Sequence, residues 1–188
     1  MAKLVESVYG DALFSYSTEH NKVDELLDEA NGVLEALRAN EDFVRVMTHP
    51  RVSKDEKIEL VKTIFSGRIS DEFLGLLVTI VEKGHFKDTE DILLYFIDQV
   101  REYRHIGVVK VTTPMELTEA QKSEVTKKLL ETTHYETLET DYEIDPSLIG
   151  GMVIRLGDRV VDSSIRTKIE HLSRDLSKIQ LKVGESAS

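Results

Sequence analysis

The residue types that could act on a substrate stand most densely between Asp145 and Arg166, where Gly150-Gly151 and Gly157 lie close to Ser163, Ser164 and Arg166. Glycines let a backbone approach a ligand that a Cβ would hold off. Serines at a helix start, followed by an arginine in the first turn, could hold an anion. The spacing is neither Gly-x-x-x-x-Gly-Lys-Ser/Thr nor Gly-x-Gly-x-x-Gly, and hairpin geometry explains the glycines more simply. Elsewhere the reactive inventory is thin. The six histidines (His20, His49, His85, His105, His134 and His171) are scattered, with none four residues from another, so the helical zinc pair is missing. The absence of cysteine excludes disulfides, thiolate metal sites and cysteine nucleophiles. The carboxylates fall on the polar faces of amphipathic stretches, where a charge run is usually solvated. The expectation is therefore no catalytic residue, no cofactor and no metal.

The elements around Gly150 read plainly. Pro146 fixes its own φ and breaks what precedes it. Met152 to Leu156 is a short apolar run of strand length, Gly157-Asp158 is a two-residue hairpin signal, and Val160-Val161 begins the return strand. Asp162, Ser163 or Ser164 can then cap a helix starting near Ile165. In that helix Ile165, Ile169, Leu172, Leu176 and Ile179 step by fours and threes. The simpler reading packs this seam on the domain's own sheet; the other gives it to a partner helix.

Residues 1–105 show only helical periodicity. Leu4, Val5, Val8, Tyr9, Ala12, Leu13 and Tyr16 form one face, with Phe14 off the stripe. Val23 to Leu37, Glu41 to Thr48, a Ser53/Glu56 capping box before Ile58 to Phe65, Phe73 to Val81, and Ile92 to Tyr103 follow. The stretch Phe73 to Val81 has only a thin polar face, which predicts the centre of a bundle or a helix shared with a partner. Near residue 105 the period changes from 3.6 to 2. Ile106 to Thr113 is strand-like, Thr118/Gln121 is a second capping box, and Leu138, Thr140, Tyr142 and Ile144 alternate with acidic residues. The fold class predicted is α+β in two domains: a six-helix bundle over residues 1–105 and a small β-α-β-β-β-α domain over 106–188.

Bulk properties narrow the partners. The chain has 188 residues, 31% of them charged, and a net charge of -11. Residues 1–105 carry 13 Lys+Arg against 21 Asp+Glu, or -8, and residues 106–188 carry 11 against 14, or -3. An acidic surface repels phosphate backbones, so no nucleic acid is expected, and basic segments are better partners. No run approaches the ~20 apolar residues of a membrane span. Residues 1–6 have no signal-peptide pattern. The expectation is a protein without direct membrane insertion.

The order Asp145-Pro146-Ser147-Leu148-Ile149-Gly150-Gly151-Met152-Val153-Ile154-Arg155-Leu156-Gly157-Asp158-Arg159-Val160-Val161-Asp162-Ser163-Ser164-Ile165-Arg166 resembles the C-terminal signature of the δ subunit of bacterial F-type ATP synthases, whose mitochondrial equivalent is the oligomycin-sensitivity-conferring protein. Gly150, Gly151, Gly157, Asp158, Asp162, Ser164 and Arg166 carry that resemblance. It covers nearly the whole chain. Tyr9-Gly10-Asp11-Ala12-Leu13-Phe14 is similar to the family's Tyr-Ala-x-Ala-Leu-Phe opening, with Gly10 in place of alanine. His49-Pro50-Arg51-Val52, Glu82-Lys83-Gly84-His85 and Leu117-Thr118-Glu119-Ala120-Gln121 fit further segments.

The resemblance implies a non-catalytic stator subunit. Its N-terminal domain would bind the N-terminal helices of the head's α subunits. Its C-terminal domain would bind the C-terminal ends of the b subunits, as a monomer within the complex on the cytoplasmic side of a bacterial membrane. It also implies a groove for an α-subunit helix, with Tyr9, Ala12, Leu13 and Phe14 on one wall and Leu77, Ile80 and Val81 on the other. A helical-bundle adaptor of another assembly is the alternative.

Overall fold

The computed structural model describes the backbone of residues 2–185 and the side chains of residues 4–175. The chain divides into two units between Tyr103 and Arg104. The fold is α+β, with the strands confined to the second unit.

The first unit contains α1 (Ala2–Glu19), α2 (Val23–Ala39), α3 (Glu41–Thr48), α4 (Lys54–Phe65), α5 (Asp71–Glu82) and α6 (Thr89–Tyr103), with a 3-10 turn at Phe86–Asp88. Local chemistry sets the boundaries. Ser53 and Glu56 form a reciprocal capping box at the start of α4, satisfying two N–H groups that have no partner in the helix. Ser70 Oγ accepts from Phe73 N at the start of α5. Ser70 in turn donates its own N–H and hydroxyl to the Glu29 carboxylate, at 2.6 and 2.8 Å. That pair ties α2 to the head of α5 across 41 residues of sequence.

The core is built from one stripe of each helix. Leu26, Ala30 and Val33 of α2, Phe73 and Leu77 of α5, and Leu93, Phe96 and Val100 of α6 are all buried. α1 lies most closely along α6, and α2 also packs on α6. The most central helix is therefore α6, not the more apolar α5, whose main neighbour is α4. Hydrophobicity all round α5 exceeds what its neighbours cover, and Leu74, Leu76 and Val78 stay half-buried.

The second unit contains β1 (Ile106–Thr113), α7 (Glu119–Thr132), β2 (Thr137–Ile144), a 3-10 turn at Pro146–Leu148, β3 (Val153–Leu156), β4 (Arg159–Asp162) and α8 (Ile165–Glu185). Strand order is β2-β1-β3-β4. β1 and β2 are parallel through the α7 crossover, and β1–β3 and β3–β4 are antiparallel. Central β1 buries Val109 and Val111 completely.

One expectation needs correction. The seam of α8 does not pack on the sheet: Ile165, Ile169 and Leu172 are 42%, 51% and 63% exposed. The side chains of Leu176 and Ile179 lie outside the described residues. α8 is held at its first turn instead, by the Pro146–Leu148 turn and by Gly150. A helix anchored at one end leaves its stripe uncovered.

Candidate interaction surfaces

In the first unit, side chains link α1 and α5 at two points. Tyr16 Oη donates to Glu72 at 3.0 Å, and Lys22 Nζ reaches the same carboxylate at 3.2 Å. At the other end the Tyr9 ring stands 6.2 Å from the His85 ring. Residue 16 thus meets the start of α5 and residue 9 meets the turn just beyond its end, so the two helices run antiparallel. Backbone hydrogen bonding at the helix start and the Lys22 and Tyr16 donors hold the Glu72 carboxyl below its usual range. Partial burial, with Glu72 alongside, raises the Tyr16 phenol.

Between the two links lies the first candidate surface. Ala12 is exposed, Tyr9 is half-buried and Leu13 is buried beneath them. Phe14 is half-buried and packs edge-on against Tyr103, with centroids 5.7 Å apart. On α5 the structure departs from the expected wall. Leu77, Ile80 and Val81 are core residues, because with Phe73 they form the single inward stripe of that helix. Between Phe73 and Val81, the α5 residues that reach the surface are Leu74, Gly75, Leu76, Val78 and Thr79. Leu4 and Val8 extend the exposed apolar side of α1. Sequence periodicity marks Leu77, Ile80 and Val81 as apolar but cannot tell a core stripe from a groove wall on a helix with so little polar surface.

In the second unit Gly150, Gly151, Asp162, Ser164 and Arg166 converge on one clasp at the base of the β3–β4 hairpin, while Gly157 and Asp158 lie at its tip. Asp145 accepts from Ser147 N at 2.9 Å and starts the 3-10 turn. Gly151 has φ +75°, and a Cβ there would meet the Ser163 backbone, with Ser164 Cα 3.1 Å away. Gly150 passes so close to α8 that a Cβ would lie 2.5 Å from Ile165 Cδ1. Its carbonyl accepts from Ile165 N at 2.9 Å. Gly157, at φ +55°, and the exposed Asp158 make the tight turn of the β3–β4 hairpin. Ser164 is buried and caps α8, accepting from Thr167 N at 3.2 Å.

The same geometry disposes of the anion site. Asp162 accepts from Ser164 N at 2.8 Å and from Thr167 Oγ1 at 2.7 Å, so the protein's own carboxylate fills the start of α8. The Thr167 hydroxyl, then the Ser164 N–H, hold the Asp162 carboxyl below its usual range. Arg166 turns back to Ser147 Oγ at 3.0 Å and lies 3.9 Å from Glu170. Among the described residues no group of three or more His, Cys, Asp or Glu could hold a metal ion, and no helix is long and apolar enough to cross a membrane.

What the two units present is apolar helical surface and a glycine-built clasp, the equipment of a protein that docks other chains. Residues 5–176 match the family described as ATP synthase delta (OSCP) subunit. The chain is 42% identical to ATP synthase subunit delta of Lachnoclostridium phytofermentans, covering 96% of this chain and 100% of the relative. It is 35% identical to the subunit of the same name from Desulforamulus reducens, covering 90% and 94%. The chain belongs to the ATP synthase delta (OSCP) subunit family, and is a component of that complex other than its catalytic subunit. A chain of the Toxoplasma gondii mitochondrial ATP synthase hexamer shares the fold, with a TM-score of 0.71, 21% identity, and coverage of 91% of this chain and 96% of that one.

Proposed function

We propose that this subunit is a mechanical connector in the peripheral stalk, joining the catalytic head to the b subunits so that the head does not turn with the rotor. It acts without catalysing a reaction, at the periphery of a bacterial membrane on its cytoplasmic side. The observation that carries the reading is the family match over nearly the whole chain. The structure supports it with two separate units, each offering its own uncovered apolar surface.

In this reading residues 1–105 form a six-helix bundle that receives an amphipathic N-terminal helix of an α subunit between α1 and α5. Ala12 is the small residue over which that helix would pass, Tyr9 and Phe14 flank it, and Leu13 is the floor. Leu77, Ile80 and Val81 support the site from within the core, while Leu76 and Thr79 stand at the surface opposite. Residues 106–188 bind the C-terminal ends of the b subunits, with the clasp around Gly150 and Gly151 holding that unit in shape. Burial of apolar area at roughly 25 cal/mol per Å² supplies the attraction at both sites. The test is titration calorimetry of the full chain with a synthetic peptide of the α-subunit N-terminus. Saturable binding that Ala12→Gln weakens supports the reading; no binding, or binding indifferent to position 12, refutes it.

A further inference from the structure

Among the described residues of the second unit, two other than glycine have positive φ, His105 and Ile149, and Ile149 is the β-branched one. It holds φ +66° and ψ -39°, and is 63% exposed. That is close to the γ-turn geometry that is rare and strained for L-residues, and worst for a β-branched one. Nothing inside the unit requires an isoleucine there, because its side chain faces mostly solvent. Backbone strain of this kind clusters at functional sites. Ile149 adjoins Gly150, whose backbone is bonded to the first turn of α8. The exposed Ile165, Ile169 and Leu172 continue from that point along α8. The sequence carries the same four-three spacing on to Leu176 and Ile179.

Charge selects the occupant. The segment Ile165–Glu185 carries five Lys+Arg against three Asp+Glu, in a chain of net charge -11. Taken as a heptad seam, its flanking positions hold Lys168 and Lys182 against Asp175, with Arg166 at a third, bonded to Ser147 and 3.9 Å from Glu170. Flanking charges choose partner helices in such seams. A second copy of this chain would set cation against cation. An anionic lipid surface would meet the net negative charge of the rest of the chain.

We propose that Ile149 and the α8 seam form one docking face for an amphipathic helix with acidic flanks, seated with its end against the Ile149 turn. This rests on the stalk-binding reading of the second unit and names the surface and the chemistry through which it binds. Ile149 is a positioning and contact residue whose strain is retained because the docked helix covers it.

The full chain should be titrated with a two-stranded peptide probe carrying Leu/Ile in its seam and Glu at the flanks, and with a twin carrying Lys there. The acidic probe should bind, and the lysine twin should bind at least about ten-fold more weakly. Ile169→Asp should weaken the acidic probe by about ten-fold or more. Ile149→Gly should weaken binding while leaving the melting temperature unchanged or raised, which a purely structural isoleucine would not do. Equal binding of the two probes, indifference to Ile169→Asp, or preferential binding to phosphatidylglycerol vesicles overturns the proposal. A pull-down with the C-terminal segment of the b protein separates the two claims. If b binds undiminished by Ile169→Asp, the docking face is wrong and the stalk reading stands. If the acidic probe binds but b does not, the stalk reading is wrong.

Discussion

A methyl group on Gly10 would overlap Cδ1 of Tyr95. Gly10 is buried in the middle of α1, where α1 lies against α6, and the Tyr95 ring occupies the space a side chain would need. Tyr95 is itself fixed, donating from Oη to Asp11 at 3.1 Å and accepting from Gln99 at 3.0 Å. The glycine that weakens α1 as an isolated helix is what lets α6 approach it.

Gly10→Ala therefore has two opposed effects. Helix propensity favours alanine by up to about 1 kcal/mol, and overpacking against a held ring costs about 1–3 kcal/mol. The expected net is destabilisation of about 1 kcal/mol in urea unfolding. In a Tyr95→Ala background the sign should reverse. Stabilisation in the wild-type background would show that the ring yields freely.

Gly151→Val combines positive φ with a collision against the Ser163 backbone. The expected cost is about 1–3 kcal/mol, confined to the second unit. Native-state hydrogen exchange should show lost protection in residues 104–175 and unchanged protection in α2, α5 and α6. Loss spread evenly over both units would contradict the separate stability of the two.

The hold of Asp162 on the Ser164 cap should be acid-labile. Its carboxyl titrates lower in the folded chain than when free, so its stabilising effect is fully present above the free-carboxyl range near pH 4. It is lost as pH falls through the lower folded value. Amide resonances of Ser164 and Thr167 followed from pH 6 to pH 2 should shift with a midpoint below that of a free aspartate. In Asp162→Asn that transition should vanish. A midpoint at or above the free value would mean that the carboxylate does not hold the cap.

Local chemistry was the legible part of the fold. Ser53 and Glu56, Thr118 and Gln121, and the Gly157-Asp158 turn are each decided within four residues, and each appears where the sequence places it. Alternation along β2 holds at Leu138, Thr140 and Tyr142 but fails at Ile144, which ends the strand 55% exposed. The α1–α5 links and the Glu29–Ser70 tie join residues about 40 or more apart, and no spacing rule foretells them. For the candidate sites, the sequence named Ala12 and the glycine clasp but set Leu77, Ile80 and Val81 on a surface. Apolar character alone does not say which of two apolar faces is covered. Ile149 gave no signal, since isoleucine is among the residues least suited to positive φ.

In the proposed reading one chain ties the head to the stalk through two separable surfaces. ATP synthase membranes depleted of this subunit, then reconstituted with wild-type chain, Ala12→Gln or Gly151→Val, test it directly by recovery of head rebinding and ATP-driven proton pumping. Wild-type chain should restore both. Ala12→Gln should remain on the stalk-bearing membranes yet recruit the head weakly. Gly151→Val should bind free head but fail to retain it on the membrane, leaving ATP hydrolysis uncoupled from pumping. Full recovery with both variants, or loss of head and stalk binding together in either one, would show that the two surfaces are not separate couplers.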